Sequence, residues 1–395
     1  MKSPPQDRCD VAIVGGGVMG CSVAYHLKSL DPGVSVQVLE RDPSYAAASS
    51  ALSASSIRQQ FSTPANIALS RYGLAFLRTA ADALAVDGER PEVGLQERGY
   101  LFLATPAGAP ALREVNALQR DCGADIALLP TQALARRFPW LATDDLQLGS
   151  LGLSGEGWFD GHGLLQALRR KAKSLGVVFR ATEAVGLRLA GGRVAVVECA
   201  DGAAIACGAL VNAAGPHAAR VARMAGLDLP VVPMRHCVFV FECRDPVEGA
   251  PLVIDPGGTW FRPEGARFIA GAPPRDPGAP ENATLEVDHA QFEEQIWPAL
   301  AHRVPAFEAV RVTGAWAGFY EMNLFDHNAL IGPVPDLPNL LLINGFSGHG
   351  LQQAPAAGLA LAEMLLHGRS RTLDVSALAF ERIAEGRRLR ELIVI

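Results

Sequence analysis

Residues 11–14, Val-Ala-Ile-Val, form an unbroken apolar run of strand length, and a second strand-length segment, Val36-Gln-Val-Leu39, follows with one polar residue in it. Between them the apolar positions recur with helical spacing. An unbroken run, as opposed to strict alternation, fits a strand covered on both faces. Residues 8 to about 43 are therefore predicted to form a strand–helix–strand unit. A helix over 63–85 follows, with Ile67, Leu69, Leu74, Phe76 and Leu77 on buried faces. Next come a short apolar strand at 99–104, a helix at 109–121 and a short helix at 130–138 with Thr131 as its cap.

The pattern changes at Trp158-Phe-Asp160. A helix at 162–175 leads into a strand at 177–181, and two strands around turns follow at 185–189 and 194–199. The run Ala209-Leu-Val-Asn-Ala-Ala-Gly215 reads as a strand ending in small residues, as where backbone must lie close to a ligand. Segments 231–241 and 252–271 alternate like antiparallel strands. A Pro- and Gly-rich loop at 273–282 separates them from a helix at 288–300. The strand at 340–344 is the last, followed by Gly345-Phe-Ser-Gly-His-Gly350 and an Ala-rich helix to about residue 367.

The strongest chemical signal is the first turn. Gly15-Gly-Gly17-Val-Met-Gly20 joins a strand to a helix, and Glu40 stands at the end of the next strand. Gly15 permits the tight turn, Gly17 admits a pyrophosphate close to backbone, and Gly20 lets the helix pack on the strands. The helix N-terminus offers free N–H groups and a positive dipole end to the phosphates. Glu40 is placed to accept the ribose hydroxyls of an adenosine and to repel a 2′-phosphate, which argues against NADP. The motif alone leaves FAD and NAD open. The loop 348–350 also precedes a helix, so its N–H groups can face an anion. If both glycine turns touch one ligand, the domain that holds it is interrupted in sequence. Residues 1–88, 156–228 and 327–395 then form the cofactor domain, and 89–155 with 229–326 the substrate domain.

Composition removes several alternatives. Of the 395 residues, 49% are hydrophobic and 19% charged, enough for a sizeable core and against disorder. Net charge is −6 with no basic run, which argues against nucleic acid. No apolar run reaches membrane-spanning length, so no transmembrane segment is expected. The N-terminus shows neither a signal-peptide core nor an Arg-rich transit pattern, and a cytoplasmic location, or a peripheral one at the inner membrane face, is expected. Seven scattered cysteines form no CxxC pair, which argues against structural zinc and a disulfide framework. The nine histidines show no HxxxH spacing beside an acid, so no metal site is expected, and no Gly-x-Ser-x-Gly elbow points to a hydrolase.

Five segments in order make the chain resemble the D-amino-acid oxidase and sarcosine oxidase family of FAD-dependent oxidoreductases. They are the glycine turn with Glu40, the Ser49-Ser50 loop, Val211-Asn-Ala-Ala-Gly215, Ala317-Gly-Phe-Tyr320 through Asp326 to Ile331-Gly332, and Gly345 to Gly350. The resemblance spans about residues 8 to 390. It implies an interrupted α/β Rossmann-type FAD-binding domain with an α+β substrate domain built on an antiparallel sheet. It assigns Gly15, Gly17, Val18, Met19, Gly20, Glu40, Arg41, Ser49, Ser50, Val185, Ala213, Gly215, Gly348, His349, Gly350, Leu351 and Gln352 to the cofactor. A reduced flavin gathers negative charge, which a helix N-terminus at 348–350 would stabilise.

The family removes a hydride from a carbon next to nitrogen, or sometimes next to a hydroxyl. Arg58 stands where sarcosine oxidases place a carboxylate-binding arginine, and a guanidinium can grip a carboxylate with two parallel hydrogen bonds. Tyr320 matches a substrate-facing position, with a core tyrosine as the alternative; His349 and Gln352 complete the candidate catalytic set. Trp260 and Phe261 are candidates for an apolar wall over the ring, and Arg235 and His236 read as structural. Three departures matter. Ile269 replaces an oxygen-side lysine, and Gln352 a second lysine. Flavin-linking Cys or His residues are absent near Gly318 and Leu52, which implies non-covalent FAD.

These features imply an FAD-dependent enzyme acting on a secondary or N-methyl amino acid or a similar small carboxylate. A dehydrogenase passing electrons to a quinone or an electron-transfer partner is favoured over a fast oxidase. The stretches Gln59-Gln-Phe-Ser62 and Arg303-Val-Pro-Ala-Phe-Glu308 also resemble a mitochondrial member tied to respiratory-complex assembly. One alternative is therefore a flavoprotein assembly factor for a respiratory complex, and another a 2-hydroxy acid dehydrogenase.

Overall fold

The computed structural model describes residues 7–275 and 284–392. Strand β1 (Asp7–Val14) turns at the first glycines into α1 (Val18–Leu30), and β2 (Val36–Glu40) returns parallel to β1, Val11 opposite Val36 and Val14 opposite Leu39. The short β3 (Ser56–Ile57) and the helix α2 (Pro64–Ala83) follow. The chain then leaves the first sheet for β4 (Tyr100–Ala104), α3 (Ala109–Asp121), β5 (Ile126–Pro130), α4 (Thr131–Arg137) and β6 (Leu148–Gly152). It returns through β7 (Gly157–Trp158), α5 (Gly161–Ser174), β8 (Val178–Ala181), β9 (Ala184–Ala190), β10 (Arg193–Cys199) and β11 (Ala204–Asn212).

After α6 (Ala218–Arg223) it leaves again. The strands β12 (Val231–Cys243), β13 (Leu252–Ile254), β14 (Trp260–Glu264) and β15 (Arg267–Gly271) precede a helical stretch, α7 (His289–Gln291) to α8 (Trp297–Arg303). β16 (Val310–Asn323) leads back to β17 (Leu330–Val334), β18 (Leu337–Asn344), α9 (Gly350–His367) and α10 (Glu381–Ala384).

Two eight-stranded sheets result. The first runs β17-β18-β11-β1-β2-β8, with β9 and β10 attached through β11, and its centre is parallel. The second runs β16-β12-β15-β14-β13-β4-β6-β5 and is antiparallel except where β13 meets β4. Residues from three stretches of sequence build the first sheet, the interrupted arrangement expected of a Rossmann-type domain with an antiparallel companion.

Helices α1 and α9 bring the two glycine turns together. Their contact is tight: a Cβ on Gly358 would fall 2.2 Å from Ser22 Oγ, and that hydroxyl donates to Ala354 O at 2.7 Å. Both helices are buried along most of their length, so the small residues of α9 set how closely it lies on α1.

Three local expectations are corrected. Thr131 does not cap its helix; Pro130 holds the N-cap position, and Thr131 Oγ1 donates to Leu146 O at 2.8 Å, two residues before β6. The helix expected at 288–300 runs on to Arg303 and contains a π-turn, Phe292–Ile296, just before Pro298, whose missing N–H interrupts the ordinary ladder. Strands β5 and β6 were not expected, because Ile126-Ala-Leu-Leu-Pro130 lacks alternation and Leu148-Gly-Ser-Leu-Gly152 is glycine-rich. Of the loop expected at 273–282, residues 276–282 lie outside the described residues.

Candidate active site

One long cleft runs between the two sheets, and both glycine turns open onto it. At Gly15, φ is +100°, and a Cβ would lie 2.3 Å from Ala213 O, so β11's end and the turn meet backbone to backbone. Gly20 is packed behind the turn: a Cβ there would fall 1.9 Å from Gly15 O. A Cβ on Gly17 would meet only Ser50 Oγ, at 3.3 Å, so this backbone stays open to a ligand. Ser50 Oγ accepts from Val18 N at 3.2 Å, since the N-cap residue, Gly17, has no side chain of its own to do so. Val18, Met19 and Ser49 also line the cleft.

Glu40 lies at the cleft edge. Its Oε2 accepts from Gly16 N and its Oε1 from Asp42 N, both at 2.8 Å. Each carboxylate oxygen has a second lone-pair direction, so the locked carboxylate can still accept two hydroxyls. Beside it, Arg41 donates to His217 Nε2 at 2.6 Å. Burial, with Arg41 and Arg220 nearby, pushes His217 down to about 4, so its ring is a neutral acceptor. Val185 does not reach this wall. Ala184 is buried and lines the cleft, and strand alternation turns the next side chain, Val185, out to 47% exposure.

At the opposite end, Tyr320 stacks on His236 with ring centroids 3.8 Å apart. Both line the cleft with Trp260 and Gly318. Gly348 has φ +93°, and a Cβ there would lie 2.5 Å from Tyr320 Cε2, so the glycine is what lets the tyrosine lie against the turn. Gly350 starts α9, and its Cβ would meet Met19 Cε at 3.0 Å; this is where the two turns touch. Gly350 and Leu351 line the cleft beside Gly348, as Ala213 and Gly215 do from β11's end.

Arg58, His349 and Gln352 come together, but one layer behind this wall. Arg58 Nη2 lies 3.0 Å from His349 Nε2, Arg58 Nη1 donates to Gln60 O at 2.6 Å, and Arg58 N donates to Gln352 Oε1 at 2.8 Å. A guanidinium has no acceptor, so His349 Nε2 must accept and the ring proton sits on Nδ1. Burial and Arg58 push His349 well below the usual imidazole range, which agrees. The Arg58 head group lies 4.2 Å from the centre of the Phe61 ring, with Phe102 and Tyr100 further off. It is 2% exposed, and among the described residues no carboxylate lies within 4 Å of it. Glu156 belongs to the same buried layer, joined through Gln59 N and Gln60 Nε2, and burial pushes it up to about 7.

Several cleft residues escaped the sequence reading. His236, read as structural, lines the cleft with Nε2 unpartnered. Glu321 does the same with Oε2, and Tyr45 and Glu183 line the end near Glu40. An imidazole next to the apolar positions of a strand looks like core, and nothing in the pattern marks Glu321. Ser49 Oγ, His236 Nε2 and Glu321 Oε2 are buried polar atoms without partners among the described residues, all on this one cleft. Such atoms are costly unless a ligand completes them. Spread along the cleft from the first glycine turn to Tyr320, they fit a ligand bearing polar groups along its length.

A parallel sheet with this turn, an antiparallel sheet over it and a second glycine turn on the same cleft define a two-part nucleotide-dependent oxidoreductase. The family model for FAD dependent oxidoreductase (DAO) matches residues 10–364, and the chain belongs to that family. The Xenopus laevis FAD-dependent oxidoreductase domain-containing protein 1 is 41% identical over 96% of this chain and 83% of its own length. Human mitochondrial sarcosine dehydrogenase is 27% identical over 93% of this chain and 40% of its own length. In fold, the chain superimposes on L-proline dehydrogenase from P. horikoshii with a TM-score of 0.86, covering 97% of this chain and all of that one at 23% identity. The cofactor of this enzyme family is FAD. Among the described residues no helix is long and apolar enough to cross a membrane.

Proposed function

We propose that this enzyme oxidises a secondary or N-methyl amino acid, or a similar small carboxylate, and passes the electrons to a quinone or protein carrier faster than to oxygen. The observation that carries the substrate class is Arg58: a guanidinium buried from water with no protein carboxylate within 4 Å among the described residues. The desolvation of such a charge is large, and an anionic group bound at the wall in front of it offsets part of that cost. Sarcosine dehydrogenase, an N-methyl amino acid enzyme by name, supports the same class.

FAD, when bound, supplies the acceptor for two electrons and the hydrogen of a C–H bond next to nitrogen. The chain does the rest. The glycine turns and Glu40 hold the nucleotide, Tyr320 and Trp260 wall the substrate end from water, and Arg58, one layer behind that wall with its plane fixed by Gln60 and His349, supplies the positive charge that draws a carboxylate to that end. His349, neutral with its proton on Nδ1, keeps a second positive charge away from Arg58. Ile269, buried in β15, and the neutral Gln352 place no cation where superoxide would form, which favours the dehydrogenase. Leu52 and Gly318 face each other across the cleft wall without a nucleophile, which favours non-covalent FAD. In this reading 1–88, 156–228 and 327–395 serve the cofactor, and 89–155 with 229–326 the substrate.

The test is anaerobic mixing of the holoenzyme with amino acids, N-methyl amino acids and 2-hydroxy acids while flavin absorbance is followed. Bleaching by N-methyl or cyclic amino acids, with slow recovery in air and fast recovery with a quinone, is expected. Bleaching by 2-hydroxy acids alone would move the substrate class. Failure of the whole panel would overturn the reading in favour of the assembly role, and rapid recovery in air would overturn the dehydrogenase half.

A further inference from the structure

Glu321 is a carboxyl on the cleft wall for which the proposed reaction has no use. It follows Tyr320 on β16, and strand alternation turns it to the other side, toward Gly215 and the turn at 345–347. A Cβ on Gly215 would lie 3.9 Å from Glu321 Oε2, and Ser347 N donates to Glu321 O at 3.1 Å, so the residue is pinned between β11's end and the second glycine turn. Its Oε2 is buried and has no hydrogen-bond partner, and among the described residues no arginine or lysine lies within 4 Å of it. Burial pushes the group up to about 8, with the N–H groups of Gly345 and Phe346 opposing only in part.

We propose that Glu321 is an FAD-binding residue held as a neutral carboxylic acid, whose O–H donates a hydrogen bond to the bound cofactor. FAD presents acceptors along its length in phosphate, ribityl and ring oxygens. A neutral carboxyl on the wall satisfies one of them and finds the partner its buried oxygen lacks. Ionised, the same group loses its donor and adds a negative charge beside a diphosphate in a poorly screened cleft. Binding therefore favours the protonated form. FAD affinity is highest below the carboxyl's pKa and falls as pH rises through it.

The other groups facing this cleft do not produce that profile. His236 on β12 and His217 before α6 are both pushed down to about 4 and stay neutral above pH 7. Tyr320 is pushed above the usual phenol range. Arg41, Arg220, Glu40, Asp42, Glu183, Tyr45 and Cys237 also line the cleft, and substitution at Glu321 leaves them in place.

The test is titration of apoprotein with FAD, followed by flavin fluorescence, between pH 7 and pH 9. The wild-type Kd is expected to rise about tenfold over that interval, while Glu321→Gln, which keeps an N–H donor but cannot ionise, stays flat within about twofold. Glu321→Ala is expected to bind more weakly at pH 7 and also to be flat. A flat wild-type profile overturns the proposal without any variant, and so does a Glu321→Gln protein that keeps the tenfold rise. The inference rests on FAD lying in this cleft, and the outcomes separate: no FAD binding at pH 7 overturns that reading, whereas tight, pH-independent binding overturns only the role of Glu321.

Discussion

Arg58 Nη2 stands 3.0 Å from His349 Nε2, two residues 291 positions apart in sequence, and the contact turns a surface-type side chain into a buried, oriented cation. The arginine's donors fix the histidine's tautomer, and the histidine and Gln60 O hold the guanidinium plane. Replacing Arg58 by lysine keeps the charge but not the fork. The Arg58→Lys enzyme is expected to lose about 1.5–3 kcal/mol of substrate stabilisation, a roughly ten- to hundredfold fall in kcat/KM for carboxylate substrates. Steady-state kinetics check this, with FAD affinity unchanged as the control.

Gly358 on α9 faces Ser22 on α1, with Ser22 Oγ 2.2 Å, Ser22 Cβ 2.7 Å and Ser22 C 2.9 Å from where a Cβ would lie. Gly358→Ala therefore pushes the two helices apart. The expected cost is about 1–3 kcal/mol, despite alanine's better helix propensity, and FAD affinity falls with it because the two glycine turns ride on these helices. Thermal melting and FAD titration on the same sample measure both.

Arg382 and Asp326 form an ion pair with both side chains fully buried, at 2.9 Å for Nε to Oδ2 and 3.0 Å for Nη2 to Oδ1. Asp326 also accepts from Asn328 N and Leu389 N, tying the C-terminal segment to the turn before β17. Removing one partner leaves a buried unpaired charge. Arg382→Met is expected to destabilise the fold by about 3–5 kcal/mol, readable in urea unfolding.

Glu156 should make stability depend on pH. Its folded pKa, about 7, lies above the ordinary 4.5 because burial disfavours the charged form. The native state thus binds more protons between those values, and this group's contribution to stability falls as pH rises from about 4.5 to 7, by about 3 kcal/mol at most. Unfolding curves at pH 5 and pH 7 should show a smaller difference in Glu156→Gln than in wild type.

Local pattern was enough to read the first βαβ unit, the helix at α3 and the glycine turn with its distal carboxylate. Strand and helix periods, and the φ > 0 demand of a tight turn, are properties of a few adjacent residues. The interrupted domain was legible too, because two glycine turns at opposite ends of the chain needed one ligand between them. Strands β5 and β6 were not, since their partners are supplied from a distant part of the fold.

The site divides along the same line. Residue types at motif positions marked Gly15, Gly17, Glu40 and Ser50, and the fold puts all four around one cleft. Which side chains face that cleft was decided by packing. Strand alternation turned Val185 outward, the second glycine turn and Gly215 brought Glu321 to the wall, the stacking of His236 on Tyr320 drew a core-looking histidine to it, and Arg58 withdrew behind it to meet His349. A chain-local pattern specifies what an element is. The direction a side chain takes, and the dielectric it meets there, come from neighbours hundreds of positions away.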